Sequence, residues 1–240
     1  MNRVLIFAGG TGQRMNGSSV PKQFLIVHGK PVIVHTIEHF QQCSQIDGIV
    51  VVCLKDYIGY LNSLIEKYKL DKVVSVVEGG DCGQASIFNG LKELIKLYGE
   101  NSEDIVLIHD GVRPLIDEKL IIDNIECVKA NGNSISVSKA IETVVLLNNA
   151  DIVDTVMDRK FCNIAKAPQS FYLKDIYNCH LKAIKENKLD FIDSAMLMQH
   201  YGHKIHTVLC SNENIKITTP MDYYLFRAIL DARENEQVKL

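Results

Sequence analysis

Four short apolar runs alternate with four amphipathic helical patterns in the first half of the chain, and this alternation limits the possible folds more than any other feature. The strand-like runs lie at 4–7, 48–54, 73–77 and 105–108. The helical patterns lie at 32–41, 57–68, 85–98 and 118–130. Near-continuous apolar strands separated by helices are typical of a parallel sheet that is covered on both faces. The sequence therefore predicts an α/β fold with a mostly parallel, Rossmann-like sheet.

The alternation breaks after position 143, where two β-like runs flank a turn. The runs are 143–147 and 152–156, and the turn-forming cluster Asn148-Asn149-Ala150-Asp151 lies between them. A two-stranded ribbon is only marginally stable alone, so we expect the hairpin to pack on a neighbour. We predict a dimerisation β-arm at about 143–166 and hence a homodimer. The remaining elements are helices near 173–186 and 194–201, a strand at 204–209 and a closing helix that Thr219 caps.

Length and composition limit the class of protein. The 240 residues, 47% of them hydrophobic, suit one α/β domain spanning 1–240. A net charge of −3 gives no basic footprint for nucleic acid, and the longest apolar runs are much shorter than a membrane span. Because Met1-Asn2-Arg3 leads directly into a strand, we expect no signal peptide and a cytoplasmic location. Seven scattered cysteines without C-x-x-C pairs are expected to be buried free thiols.

A glycine-rich loop, Ala8-Gly9-Gly10-Thr11-Gly12-Gln13-Arg14-Met15, follows the first strand. Its glycines would let the main chain turn tightly and present N–H groups to phosphates, while Arg14 and Lys22 would add positive charge beside the same anion. The loop lies at the carboxyl end of a strand, where open α/β sheets bind ligands. It lacks the third glycine of G-x-G-x-x-G, because Met15 stands there, and the Gly-Lys-Ser/Thr of the P-loop. We interpret it as the triphosphate loop of a nucleotidyltransferase; a purely structural turn is the alternative.

A carboxylate follows the fourth strand, in Ile108-His109-Asp110-Gly111-Val112-Arg113-Pro114. Beside bound phosphates, Asp110 would be a suitable Mg²⁺ ligand, because this hard cation takes oxygen donors that it shares with substrate. Gly111 would let the backbone approach the nucleotide. The alternative for Asp110 is a helix cap or a partner of Arg113, and for Arg113 we favour a structural role in holding the loop.

Two further segments carry candidate residues. In Glu78-Gly79-Gly80-Asp81-Cys82-Gly83-Gln84-Ala85-Ser86, small residues would let a base lie against the main chain, and Ser86 could bond a base edge. An ordinary turn and helix cap is the alternative. Lys216, in Asn214-Ile215-Lys216-Ile217-Thr218, either reaches a substrate phosphate or snorkels at the surface. His35 and His39 have metal-ligand spacing but no H-E-x-x-H pattern, so core or surface roles are favoured.

Together, six ordered motifs resemble the cytidylyltransferases that act on polyol phosphates. They are AGGTGQRM…PKQF (8–24), HTIEHF (35–40), EGGD…S (78–86), HDGVRP (109–114), APQSF (167–171) and NIKITTP (214–220). The resemblance covers nearly the whole chain and implies the α/β nucleotidyltransferase sheet of that family, CTP and a polyol phosphate as substrates, Mg²⁺ as cofactor, and a homodimer joined through the β-arm.

The resemblance also implies roles for particular residues. Arg14, Lys22 and Lys216 would be catalytic, with Lys216 on the phosphates and Asp110 on the metal. Thr143 and Arg159 would meet the acceptor from the neighbouring subunit, and Asp193 would lie in the acceptor site. The CTP site would comprise Ala8, Gly9, Gly10, Thr11, Gly12, Gly80, Asp81, Ser86, Asp110 and Gly111.

Three positions depart from the family pattern. Gly83 stands where an arginine is usual, Ala167 replaces the threonine before Pro-Gln, and Ile192 replaces a threonine or serine before Asp193. The motifs AGGTG, HTIEHF and NIKITTP, and the eight-residue step from Arg14 to Lys22, favour ribitol 5-phosphate as acceptor. The alternative is 2-C-methyl-D-erythritol 4-phosphate, which would place the product in isoprenoid synthesis rather than in a cell-surface polymer.

Readings other than cytidylyl transfer also stay open at this point. One is a nucleotide-sugar synthase that uses UTP or a purine nucleotide. Another is a non-catalytic nucleotide-binding homologue. This alternative is kept because Gly83 replaces an arginine that is usual in the family. An oxidoreductase is disfavoured by the absent third glycine of the loop.

Overall fold

The computed structural model of the protein describes residues 1–10, 20–100 and 103–235. The strands are β1 (Asn2–Ala8), β2 (Ile26–Val27), β3 (Lys30–Pro31), β4 (Gly48–Cys53), β5 (Val73–Glu78), β6 (Ile105–Asp110), β7 (Asn133–Lys139), β8 (Val145–Leu147), β9 (Val153–Val156), β10 (Asn163–Tyr172) and β11 (Thr207–Leu209). The helices are α1 (Val32–Gln42), α2 (Ile58–Tyr68), α3 (Gly83–Tyr98), α4 (Glu118–Asn131), α5 (Leu173–Lys185), α6 (Ser194–His200) and α7 (Pro220–Glu234).

In the described part of the chain, seven strands form one sheet in the order β11-β7-β10-β6-β1-β4-β5. The pairs β6-β1, β1-β4, β4-β5 and β7-β11 are parallel, whereas β10 runs antiparallel to both of its neighbours. The predicted α/β class and mostly parallel sheet are confirmed. The order places the carboxyl ends of β1, β4, β5 and β6 at one edge, where the predicted loops follow.

The sheet is covered on both faces because successive side chains of a strand point to opposite sides. Val4 and Ile6 of β1 belong to a core cluster that α1, α2 and α4 complete. Leu5 belongs to the opposite cluster, with residues of α3 and α5. Strands buried on both faces explain why these runs read as continuously apolar.

The hairpin predicted after position 143 is present as β8 and β9. Within the described ranges the two strands pair only with each other, and all their residues are exposed. The Asn148 side-chain oxygen accepts hydrogen bonds from the N–H groups of Ala150 (2.9 Å) and Ile152 (3.1 Å), which fixes the predicted turn. Residues 163–166, which the predicted arm includes, instead begin β10, and Asn163–Ala165 pair with β7.

The closing helix begins as predicted. The Thr219 hydroxyl accepts from the N–H of Asp222, and the Asp222 carboxylate accepts from the N–H of Thr219, which together form a capping box. All seven cysteines are free, as predicted; Cys43, Cys53 and Cys179 are buried, but Cys82 is exposed. None of the helices described has both the length and the apolar composition needed to cross a membrane.

Gly90 lets α3 approach the sheet closely, and this generates a paired prediction. A Cβ at Gly90 would lie 2.0 Å from Leu5 Cδ1, whereas one at Gly59, exposed on α2, would meet nothing within 4 Å. We expect Gly90→Ala to lower the free energy of unfolding by about 1–3 kcal/mol through overpacking. Gly59→Ala should raise it by up to about 1 kcal/mol, because alanine is the better helix former. Urea unfolding measures both, and equal effects would contradict the close packing.

Candidate active site

The Asp110 carboxylate is the centre of the candidate site, at the carboxyl end of β6. Arg113 Nε donates to Asp110 Oδ2 at 2.8 Å, and Lys216 Nζ lies 2.5 Å from Asp110 Oδ1. The Asp110 and Arg113 side chains are 9% and 10% exposed, while Lys216 is 39% exposed. One carboxylate therefore holds two cations, of which only Lys216 is open to solvent. Asp110 therefore has the Arg113 partner that was the alternative to a metal-ligand role, and Lys216 is partly exposed.

The protonation states around Asp110 follow from these contacts. Burial alone would raise the pKa of the Asp110 carboxyl, but the Lys216 ammonium and the Arg113 guanidinium hold it below its usual value. Burial lowers the pKa of neighbouring His109 to about 4, so its imidazole is neutral near pH 7. His109 Nε2 carries the proton, because it lies 3.0 Å from the Arg113 carbonyl oxygen, which can only accept.

Arg113 ties this carboxylate to two other parts of the chain. Its Nη1 donates to the Asn214 carbonyl oxygen at 2.8 Å, and Asn214 Nδ2 donates to the Ala167 carbonyl oxygen at 2.7 Å. The loop after β6, the strand β10 and the segment before α7 are thereby joined. This is the structural role expected for Arg113.

A cleft of about 560 Å³ opens beside this network. Asp110, Arg113 and Lys216 line it together with residues of β10 and of the segment that leads into α6. Asp193, predicted to bind substrate, also lines it. Its Oδ1 accepts from the N–H of Met196 (2.8 Å) and caps α6, and its Oδ2 accepts from Gln169 Nε2 (3.0 Å).

The predicted nucleotide loops meet at a second hollow, of about 430 Å³, lined by residues after β1, β4 and β5. The buried Ser86 hydroxyl accepts from the Gly80 N–H at 3.0 Å, so it shapes the loop that was predicted to face the base. A Cβ at Gly9 would lie 3.1 Å from Ser86 Oγ, and one at Gly80 would lie 2.5 Å from Ala85 Cβ. These glycines let the two loops approach each other closely. Gly9, Gly80 and Asp81 line the hollow.

The base of the first loop is fixed by a side chain that the sequence analysis did not select. Gln23 is buried, and its Nε2 donates to the Ala8 carbonyl oxygen at 2.7 Å and to the Gly10 carbonyl oxygen at 3.3 Å. Gly111 lies against the same strand end, since a Cβ there would lie 2.8 Å from Ala8 Cβ. The small residues predicted for the CTP site therefore pack against each other after β1, β5 and β6.

The other predicted residues lie in three places. Thr11, Gly12 and Arg14 fall outside the described residues. Lys22 is half-buried at the start of a short 3₁₀ turn, Lys22–Phe24. Thr143 and Arg159 are exposed beside the β8–β9 hairpin and do not line the 560 Å³ cleft.

Mg²⁺ fits this donor set only with help from substrate. Among the described residues, no group of three or more histidine, cysteine or acidic side chains is arranged to hold a metal. Asp110 supplies two carboxylate oxygens, and Mg²⁺ commonly takes one or two carboxylates with substrate phosphates and water. His35 and His39 instead contact the carbonyl oxygens of Val27 (2.9 Å) and Pro114 (2.8 Å), in agreement with their predicted structural roles.

Comparison with known proteins identifies the family. The profile of the IspD family, described as 2-C-methyl-D-erythritol 4-phosphate cytidylyltransferase, matches residues 3–232. The chain belongs to this family. A Streptococcus agalactiae protein named ribitol-5-phosphate cytidylyltransferase is 52% identical over 238 residues, and the alignment covers 99% of each chain. A Clostridium novyi protein named 2-C-methyl-D-erythritol 4-phosphate cytidylyltransferase is 36% identical over 231 residues, with 96% of each chain covered.

A solved structure agrees with this assignment. The structure titled 4-diphosphocytidyl-2C-methyl-D-erythritol synthase from Anaerococcus prevotii has a TM-score of 0.82 and 28% identity, covering 96% of each chain. The predicted resemblance to polyol-phosphate cytidylyltransferases is therefore confirmed. Gly83, Ala167 and Ile192, which depart from the family pattern in the sequence, all line the 560 Å³ cleft.

Proposed function

We propose that this IspD-family protein transfers CMP from CTP to ribitol 5-phosphate and releases pyrophosphate. One observation supports ribitol 5-phosphate as the acceptor. The chain is more similar to the relative named for ribitol 5-phosphate than to the relative named for 2-C-methyl-D-erythritol 4-phosphate. The reaction takes place in the cytoplasm and yields CDP-ribitol, a donor for a cell-surface polymer.

The chemistry of the two substrates is consistent with direct in-line transfer. A phosphate oxygen of the acceptor attacks the α-phosphorus of CTP; a new P–O bond forms, and the bond to the bridging oxygen of pyrophosphate breaks. The acceptor phosphate is already ionised near neutral pH, so no general base is needed. Both reactants are anions, and the protein must therefore position them and neutralise charge at the α-phosphoryl oxygens.

The cations have separate tasks in this proposal. Arg14 and Lys22 stabilise the charge that develops on the α-phosphoryl group, and Lys216, held by Asp110 at 2.5 Å, contacts the phosphates. Asp110 would hold Mg²⁺, which when bound neutralises phosphate charge. The glycine loops after β1 and β5 hold CTP through main-chain N–H groups.

Substrate choice tests the proposed reaction. Pyrophosphate release should be measured with CTP, UTP, ATP or GTP against ribitol 5-phosphate, 2-C-methyl-D-erythritol 4-phosphate, arabinitol phosphate and glycerol phosphate. We expect CTP with ribitol 5-phosphate to give the highest kcat/KM, by about tenfold or more over the other acceptors. Chelation of Mg²⁺ should abolish release and its return should restore it. Faster turnover of 2-C-methyl-D-erythritol 4-phosphate would reassign the acceptor, and CTP binding without release in any mixture would indicate a non-catalytic homologue.

Arg14 and Lys22 can be tested separately from the acceptor. Arg14→Ala and Lys22→Ala should each lower kcat by about 10²–10³, the typical cost of removing one transition-state donor. Arg227→Ala removes an exposed cation on α7 and serves as the control. Wild-type kcat in either loop variant, with unchanged Tm, would exclude that residue from catalysis.

The β8–β9 hairpin supports the proposal of a homodimer. Apolar residues of the hairpin and of the chain beyond it are exposed: Val145, Leu146, Leu147, Ile152, Val153, Val156 and Phe161. Several exposed apolar residues on a hairpin that pairs with no other strand of the described chain favour an interaction site. We propose that the arm packs on a second copy and there brings Thr143 and Arg159 to the acceptor site of the other subunit.

Sedimentation velocity tests this arrangement. Leu147 and Val153 are cross-strand partners, so the double variant Leu147→Asp/Val153→Asp places two charges on the proposed interface. We expect the wild type to sediment as a dimer and this variant as a monomer with lower activity. Leu181→Asp, an exposed leucine on α5, is the matched control and should stay dimeric. A monomeric wild type at about 10 μM, where an obligate interface is saturated, would refute the dimer.

A further inference from the structure

Lys166 is a third cation in the 560 Å³ cleft and differs from the other two in its contacts. It is half-buried on β10 and lines the cleft together with Arg113 and Lys216. No hydrogen bond or ion pair joins its ammonium to any residue within the described ranges, whereas Arg113 and Lys216 share the Asp110 carboxylate. A half-buried cation without a counter-charge is costly, and an anion in the cleft would remove that cost.

The local strand geometry sets Lys166 apart from a regular strand residue. The pairing of β10 with β7 is regular up to Ala165 and resumes at Gln169, so the register shifts across Lys166, Ala167 and Pro168. Such irregularities redirect side chains and are common next to active sites. Ala167 is held within this segment by the hydrogen bond from Asn214 to its carbonyl oxygen.

The electrostatic surroundings of Lys166 favour an incoming anion. Burial, and to a smaller extent the charge of Arg113, lower the pKa of Lys166, and a bound dianion would reverse the second effect. The cleft also contains Asp190 and Asp193. Asp193 is engaged by Gln169 and by the N-terminus of α6, and neither carboxylate forms an ion pair with Lys166 in the described part of the chain.

The order of the strands favours the acceptor phosphate over the CTP phosphates as the group next to Lys166. The nucleotide loops follow β1 and β5, which lie on one side of β6, whereas β10 lies on the other side. Gln169 of β10 pairs with Ile108 of β6, so Lys166 lies near the edge at which Asp110 ends its strand. An anion next to Lys166 is thus separated from the triphosphate loop by the Asp110 strand.

We infer that Lys166 is a substrate-binding residue that contacts the phosphate monoester of the acceptor and helps to distinguish phosphorylated polyols from free ones. The inference rests on the proposed function.

Steady-state kinetics of Lys166→Gln and Lys166→Arg test the inference. We expect Lys166→Gln to raise KM for ribitol 5-phosphate by about 10- to 100-fold, the value of one charge-assisted hydrogen bond, with KM for CTP nearly unchanged. Lys166→Arg should recover most of the loss. Lys185→Gln makes the same charge change at an exposed position of α5 outside the cleft and should behave as wild type. An unchanged acceptor KM, or an equal rise in KM for CTP, would overturn the assignment.

Calorimetric binding separates this inference from the proposed reaction. Ribitol 5-phosphate, inorganic phosphate and free ribitol are titrated into wild type and Lys166→Gln, with Tm as a check on folding. If the variant no longer binds ribitol 5-phosphate or inorganic phosphate, the result supports Lys166 as a phosphate-binding residue. This holds even if the wild type turns over no polyol phosphate, and in that case only the proposed function fails. Equal phosphate binding by both proteins, with an active wild type, overturns the role of Lys166 alone.

Discussion

The rest of the site depends on one buried carboxylate held between two cations. Asp110 ends β6 in a nearly water-free position, which is favourable only because Arg113 and Lys216 both contact it. Since Lys216 comes from the segment before α7, this contact brings the C-terminal part of the chain to the strand end where the N-terminal loops lie. Arg113 extends the same network to Asn214, and Asn214 extends it to β10. Asp110, Arg113 and Lys216 are thus held together at the end of β6 by contacts within the protein itself.

The antiparallel strand β10 makes the two sides of β6 different at the edge of the sheet where Asp110 lies. On one side of β6, parallel strands end in glycine-rich loops that suit a nucleotide, in the usual position for ligands of open α/β sheets. On the other side, β10 enters in the reverse direction, so its first half rather than its last lies at that edge. Residues that precede Pro168 therefore line the cleft next to Asp110, on the side of β6 away from the glycine-rich loops that follow β1 and β5.

The sequence predicts those parts of the structure that depend on neighbouring residues better than those that depend on contacts between distant residues. Apolar runs and helical periods are local, and they correctly predicted β1, β4, β5, β6 and all seven helices of the described chain. The pattern did not predict β7, whose serines are buried because partners distant in sequence satisfy them: Ser134 bonds Asn124 Oδ1 at 2.7 Å and Ser136 bonds the Pro168 carbonyl oxygen at 2.8 Å. The interior proline of β10 argues against a strand and concealed that element too.

The same distinction applies within the site. Asp110 and the glycine loops were found because each follows an apolar strand, whereas Gln23, Asn214 and Lys166 are defined by contacts that no local pattern records.

The three departures from the family pattern all lie in the 560 Å³ cleft. Gly83, where the family usually has an arginine, leaves open space in this cleft at the start of α3, since a Cβ there would meet nothing within 4 Å. Ala167 contributes no hydroxyl, and the side chain of Ile192 is 87% exposed at the mouth of the cleft. Lys166, next to Ala167, puts a positive charge on the acceptor side instead. Because specificity is a difference between the free energies of competing substrates, changes confined to this cleft would, under the proposed function, alter the choice of acceptor while leaving Asp110 and its two cations unchanged.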